Sequence, residues 1–297
     1  MDGILNIDKP QGITSYRVVA VVKRLSGERR VGHAGTLDPL ASGVLPLCLG
    51  QATRLVEFLA DASKTYRAGI ELGLTTDTYD ASGRVVQRGE PSDIRREQVE
   101  KALDSFRGVI RQTPPMYSAI KHRGRKLYEL ARAGITVDRK SRPVKIHRLD
   151  ITDFQPPLIT AEVECSKGTY IRSLAHDLGQ SLGCGAILKS LTRLRYGPFD
   201  IKDAVSISRL EEAFGSGYWE HFLHPMDCVL TAWPAVVVDE ATEQLIRNGL
   251  PVALSLESSD DRRCRTYTAD GDFLGVLRFE PQKGHWHPEK VFQSRDR

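Results

Sequence analysis

Hydrophobic positions recur along this chain at two different periods, and the switching between them lays out its elements. Residues 3–7 (GILNI) are a short apolar run that stops where Pro10 and Gly12 enforce a turn, as a buried strand does. Val18, Val19, Val22 and Leu25 then follow helical spacing, with Ser15 placed to cap the helix start and Gly27 just past its end. A glycine-containing loop covers 29–39, a buried strand 43–49, and a helix 51–60 that buries Leu55, Val56 and Leu59. Residues 64–73 alternate, with Tyr66, Ala68, Ile70 and Leu72 on one face and Thr65, Arg67 and Glu71 on the other, which predicts a half-exposed strand.

Further on, Asp93 opens a predicted helix striped by Val99, Leu103 and Phe106 and closed by Gly108, and 127–133 forms a shorter one. Strands follow at 144–154 and 158–165, the second turning Ile159, Ala161, Val163 and Cys165 inward. Residues 166–169 lead into a helix whose stripe is Ile171, Leu174, Ala175, Leu178 and Leu182. After a helix at 208–214, Gly215-Ser216-Gly217 and His224-Pro225 read as a linker. Beyond Trp233 the pieces are short and strand-like, at 235–238, 265–268 and 273–279. Strands and helices mixed without a strict βαβ repeat predict an α+β domain with a largely antiparallel sheet, followed by a small β-rich domain.

The composition, 297 residues with 40% hydrophobic and 27% charged, is that of a soluble folded enzyme and excludes disorder and fibre. Apolar runs such as 18–22 and 235–238 fall far short of the roughly 20 residues of a membrane helix. The N-terminus has no basic region followed by an apolar one, so a cytoplasmic location is expected. Cys48, Cys165, Cys184, Cys228 and Cys264 are scattered, with no C-x-x-C, and read as reduced thiols. His221 and His224 with Cys228, and His285 with His287, lack a second half at zinc spacing, so no metal is expected.

Charge changes the picture more. The net +4 hides a concentration, because residues 121–148 hold ten Lys/Arg against only Glu129 and Asp138 and so carry +8, leaving −4 for the rest. Lys23, Arg24, Arg29 and Arg30 form a second basic cluster, and Lys189, Arg193 and Arg195 a third. Any one of these reads as a solvated face; together they point to nucleic acid.

Candidate chemistry gathers in residues 29–43. Gly32, Gly35 and Gly43 let the backbone approach a ligand, and Pro39 holds Asp38 extended, so that its carboxylate is presented. An Asp-Pro pair also commonly does no more than start a turn. His33 is open to reading as a base, a stacking wedge or an ordinary loop histidine. Residues 166–172 (SKGTYIR) place a cation and free amides at a helix start, a setting suited to an anion, without the glycines of a phosphate-binding P-loop. Arg172 lies about 100° round that helix from Ile171, at the stripe's edge, where it can reach another loop or simply sit at the surface. Tyr66 is on a face that also reads as core. Without G-x-S-x-G, H-E-x-x-H or G-x-G-x-x-G, cofactor-free acid chemistry remains.

Six segments in order carry a resemblance that runs nearly end to end: 3–12 (GILNIDKPQG), 32–43 (GHAGTLDPLASG), 64–66 (KTY), 73–80 (GLTTDTYD), 115–121 (PMYSAIK) and 166–179 (SKGTYIRSLAHDLG). On these the chain closely resembles the bacterial tRNA pseudouridine synthase B family, whose members convert uridine 55 of the tRNA T loop to pseudouridine. The resemblance implies the pseudouridine-synthase fold with a mixed, largely antiparallel sheet at 1–229, a small β-rich PUA-like RNA-binding domain at 230–292 and a tail at 293–297. It implies Asp38 as the catalytic carboxylate, Arg172 as its partner and Tyr66 stacked on the target uracil and helping to remove its C5 proton. Tyr170 and Lys64 would line the substrate pocket, Lys9 would buttress the active-site loop, and His33 would enter the T loop as the uridine turns out. The reaction is an isomerisation and implies neither cofactor nor metal. The implied partner is tRNA, through its T loop and arm, and nothing demands more than a monomer. Binding and folding of tRNA without catalysis is the alternative, and Asp38 discriminates the two.

Overall fold

The computed structural model describes residues 1–256 and 262–293, so four residues of the expected 293–297 tail lie outside the described residues. Eleven strands make one mixed sheet. Its main path runs Val205–Ser206, Gly3–Lys9, Ala41–Leu49, Ala186–Tyr196, Lys64–Leu72, Leu158–Cys165, Arg142–Gln155 and Gly108–Gln112. Two pairings on this path are parallel, Gly3–Lys9 with Val205–Ser206 and Ala41–Leu49 with Ala186–Tyr196; the others are antiparallel, as expected.

Alternate residues of the central strands feed two separate cores. Leu45, Leu47 and Leu49 face the larger one with Leu5 and Ile7, covered by Val18 and Val22, Val99 and Leu103, Ile171, Leu174 and Leu178, and Leu210 from four helices. Val44 and Cys48 face the other way with Ile4, against Ala52, Leu59, Tyr196 and Phe199. A strand covered on both faces carries near-continuous apolar sequence, as residues 43–49 do.

The structure corrects several element ends. Thr14, not Ser15, caps the Ser15–Ser26 helix, accepting from the Arg17 N–H at 3.1 Å. Ser15 instead turns inward, where its hydroxyl bonds both the carbonyl and the N–H of Leu37 (3.1 and 2.9 Å). Residues 50–55 form a 3₁₀ turn, and the α-helix covers only Val56–Ala60, with Val56 half-buried. The helix expected from Asp93 starts at Arg96, because residues 91–94 first close a turn from Ile94 N–H to Pro91 O (3.1 Å). Gly108 does not close it but opens the edge strand at φ +76°.

Two larger features depart from the sequence reading. The central Ala186–Tyr196 strand is not legible as alternation, because bulges between Leu188 and Ser190 and between Arg193 and Arg195 break its period. The stretch read as a linker is also integrated: Gly215 and Ser216 end a helix capped by Gly217, and Leu223 and His224 pair with Leu5 and Ile4 in the main sheet.

The C-terminal strands Ala235–Val237, Arg263–Tyr267, Phe273–Glu280 and His285–Val291 form a second sheet in that order. With the unpredicted helix Glu240–Arg247 they enclose Val238, Ile246, Cys264, Leu274, Leu277 and Trp286. Leu55, Leu230, Val276 and Phe292 pack this unit on the first, and Gln51 and Gln293 exchange two hydrogen bonds of 3.0 Å across the join. All five cysteines are free. Among the described residues no helix is long and apolar enough to cross a membrane.

Candidate active site

A cleft of about 370 Å³ opens beside the first residues of the Lys64–Leu72 strand. Its walls come from the 35–38 loop, residues 118–119, the 166–172 turn into the Ile171–Leu182 helix, and Leu191, Arg193 and Tyr196 of the central strand. It gathers five of the residues singled out from sequence, Asp38, Lys64, Tyr66, Tyr170 and Arg172.

Asp38 leaves 46% of its side chain exposed, whereas Arg172 is buried and reaches it with Nη2 at 2.9 Å from Oδ2. The Arg172 guanidinium is held on other sides as well. It donates to Tyr117 O (2.8 Å) and Thr78 O (3.3 Å), and Nε lies 3.7 Å from Asp80 Oδ2. Asp80 enters the sequence reading only as the last residue of the 73–80 motif. It is buried and accepts from the Thr78 hydroxyl (2.7 Å) and from the N–H and hydroxyl of Ser82 (3.0 and 2.5 Å). The signal for it is the aspartate that ends GLTTDTYD, with hydroxyl residues two positions to either side, Thr78 and Ser82, a pattern suited to a structural carboxylate.

Lys9 and His33 stand outside the cleft walls. Lys9 is fully buried, and its ammonium donates to the carbonyls of Pro10 (2.9 Å) and Ile13 (2.8 Å). The turn so fixed sends the Gly12 N–H to Pro39 O at 2.8 Å, next to Asp38. Burial pulls the Lys9 pKa down to about 8, with Asp38 opposing the shift. His33 ends the Val31–His33 strand, half-buried; burial first and the Arg193 charge second push its imidazole pKa down.

Tyr170 precedes the Ile171–Leu182 helix with no side-chain cap of its own, and a distant glutamine supplies the missing bonds. Gln112, on the edge strand, donates to Tyr170 O (2.9 Å) and accepts from the Tyr170 N–H (2.7 Å). Burial raises the Tyr170 phenol, with the Arg172 charge among the influences opposing it.

Arg193 corrects the sequence reading most. The sequence groups it with Lys189 and Arg195 as a basic cluster suited to nucleic acid, yet it is 1% exposed. Its Nε donates to Val44 O (2.6 Å), its Nη2 to Gly35 O (3.0 Å), and it lies 4.8 Å over the Tyr196 ring. Lys189 meanwhile pairs with Glu71 (2.8 Å) and Arg195 donates to Gly197 O (3.1 Å), so the three form no common surface. Gly35 is required where it sits, since at φ +66° an added Cβ would come within 2.9 Å of the Tyr196 ring. Lys64 donates to Ala60 O (3.0 Å) and Ala62 O (2.7 Å) beneath the same ring; burial, then Arg193, pulls its pKa down to about 8.

Beside the cleft the basic segment folds as a hairpin, Lys121–His122 with Arg125–Lys126, followed by the helix Leu127–Arg132. Met116, Leu127 and Leu130 give it a small core, and Lys121, His122, Arg139, Lys140 and Arg142 share the lining of a cavity of about 340 Å³ with Asp138. Ser118 and Ala119, three and two residues before that hairpin, line the main cleft, so the cationic surface adjoins the carboxylate pocket.

The eleven-stranded mixed sheet and the small β-rich unit packed on it are the pseudouridine-synthase fold. A chain from "Crystal Structure of a Cbf5-Nop10-Gar1 Complex" aligns with TM-score 0.76 and 27% identity, covering 98% of this chain and 85% of that one. A chain from "Structure of H/ACA RNP bound to a substrate RNA containing 2'-deoxyuridine" aligns with TM-score 0.74 and 25% identity over 99% of this chain and 86% of its own. Within that fold, the protein belongs to the TruB family of pseudouridylate synthases. Residues 23–171 match the profile "TruB family pseudouridylate synthase (N terminal domain)" and 172–231 the profile "tRNA pseudouridylate synthase B C-terminal domain". The tRNA pseudouridine synthase B of Dehalococcoides mccartyi is 46% identical over 98% of this chain and 97% of its own length. Those of Clostridium acetobutylicum (44%, covering 93% of this chain and 95% of the relative) and Haemophilus influenzae (42%, 93% and 89%) are similar.

Proposed function

We propose that this protein isomerises the T-loop uridine of tRNA to pseudouridine, with Asp38 as its catalytic carboxylate. The observation that carries the reading is a half-exposed carboxylate facing a nucleoside-sized cleft while a buried arginine, itself braced by Asp80, fixes its position at 2.9 Å. An arginine held on four sides orients the carboxylate before substrate arrives, and such preorganisation costs nothing at the moment of reaction.

A base in a folded loop must leave its stack before its glycosidic bond can be reached, at a cost of a few kcal/mol. His33, its imidazole pKa lowered by burial, would fill the place the uridine leaves. Asp38 then acts at the ribose C1′–C2′ region or on the base while the C1′–N1 bond breaks. The uracil turns and rejoins through C5, and Tyr66 stacks on it and helps take the C5 proton. Tyr170 and Lys64 complete the pocket, and Lys9 holds the 10–13 turn that bonds Pro39. Substrate and product have the same atoms and oxidation state, so the reaction calls for no redox carrier.

The substrate reading adds the cationic hairpin and helix of residues 121–148, whose field suits the phosphates of the T arm, because folded RNA is read largely through its backbone. Residues 1–229 would be the catalytic unit and 230–292 a PUA-like RNA-binding unit, in a cytoplasmic protein acting as a monomer. The test is tritium release from C5-labelled uridine in tRNA transcripts. Wild type should release it, and release should vanish with Asp38→Asn or with cytidine at the target. A folded wild-type protein that binds tRNA and releases nothing would replace this reading with the tRNA-binding, folding role.

A further inference from the structure

Among the described residues Arg193 is buried without a carboxylate partner, in contrast to Arg172, which has two. An unpaired guanidinium is costly to desolvate, so its neighbours have to offset it. The groups that offset it are neutral, two backbone carbonyls and the face of Tyr196, while Lys9 and Lys64 nearby add positive charge. Both carbonyls belong to the active-site loop and the strand that follows it, Gly35 O three residues before Asp38 and Val44 O six after.

The backbone of Arg193 is fixed as tightly as its side chain. Gly43 sits so close across the parallel ladder that an added Cβ would lie 2.3 Å from Arg193 O. On its other side, Arg193 is the register partner of Tyr66, and both line the cleft. One side chain thus bridges the loop that presents Asp38 and the tyrosine expected to meet the base. Burial drives the Tyr66 phenol towards its protonated form, and the charge of Arg193 is the first influence opposing that.

We infer that Arg193 is a positioning residue that acts through Tyr66, holding the phenol oxygen against the active-site loop so that it can accept the C5 proton of the rejoined uracil. This rests on the reading of the protein as a pseudouridine synthase. After rejoining, C5 carries both its hydrogen and the new bond to C1′, and the ring has a C6=N1 double bond. The C5–H bond breaks, its electron pair forms C5=C6, and the C6=N1 pair moves onto N1, which takes a proton from water. The Tyr66 phenol first gives its proton to water, beside the Arg193 guanidinium that opposes the effect of burial, and the phenolate so formed takes the C5 proton and returns to the phenol.

The experiment uses the full-length protein and tRNA transcripts whose target uridine carries hydrogen or deuterium at C5, in single turnover. Arg193→Met and Arg193→Lys are compared with Tyr66→Phe and with the double variant Arg193→Met/Tyr66→Phe. Arg193→Met should leave tRNA affinity within about twofold while the rate falls roughly tenfold to hundredfold, the range of a compromised general base. A deuterium effect larger than that of wild type should appear in both Arg193 variants, because proton removal becomes limiting, and the double variant should be no slower than the slower single one. Multiplying losses, a loss confined to tRNA affinity, or an unchanged isotope effect would overturn the inference. Should Arg193→Met fail to fold, the isotope effect of Arg193→Lys, which keeps the charge, decides the same question. A wild type that forms no pseudouridine overturns the underlying reading, whereas an active wild type beside indifferent variants overturns this inference alone.

Discussion

Gln112 lies outside the cleft walls, yet the arrangement of the site makes it a strong determinant of both stability and rate. Its amide, in a residue 2% exposed, both donates to and accepts from the backbone of Tyr170, the residue that precedes the helix carrying Arg172. Replacing it by alanine strips two hydrogen bonds and strands the Tyr170 N–H, while the Tyr170 carbonyl keeps the Leu174 N–H at 3.1 Å. A lost bond of this kind costs about 0.5–1.5 kcal/mol net, and a stranded buried group about 1–3 kcal/mol, so Gln112→Ala should lose about 2–4 kcal/mol. Urea denaturation should show this as a lower midpoint with an unchanged slope. The helix start would also loosen, and with it the 2.9 Å contact of Arg172 with Asp38, so single-turnover rate should fall roughly tenfold with tRNA affinity nearly kept. Gln112→Glu should be no better, since a second acceptor would face Tyr170 O. A midpoint and a rate both indistinguishable from wild type would refute the idea that the edge strand positions the arginine.

Two further predictions follow from buried ionisable groups. Lys9 and Lys64 have pKa values near 8 in the folded protein, against 10.5 ordinarily, so the folded state sheds these protons first and stability should rise between pH 8 and 9. The buried thiols, raised above their ordinary 9.0, reverse that trend at higher pH; Lys64→Met should flatten the rise, as read by denaturation at each pH. Burial lifts Asp177 to about 6 from 3.8, so the folded state holds that proton longer and its carboxylate destabilises the fold above about pH 6. Asp177→Asn should therefore raise the melting temperature by about 2–4 °C at pH 7 and leave it unchanged at pH 4 in thermal scans; an equal gain at both would refute the assignment.

What the sequence determined by itself is local. Pro39 sets the backbone that presents Asp38, the stripe of residues 171–182 puts Arg172 at a helix edge, and alternation places Tyr66 on the inner face of its strand. Each follows from torsions and side-chain period, which neighbouring residues impose on one another, and six ordered motifs carried the family likeness as well. Tertiary structure alone decided the partners. Arg193 looks like one of three surface cations until a bulge and a parallel pairing set it against Gly35, 158 residues away, and its charge turns inward. Gln112 finds Tyr170 across 58 residues, and Arg172 finds the Thr78 carbonyl across 94 on its way to Asp80. Bulges also hid the central strand, since one extra residue inverts the alternation by which a strand is read. A charged or polar side chain has the same local signature at the surface and in the core, and only strand register, a long-range property of the folded chain, decides whether it meets water or a backbone carbonyl.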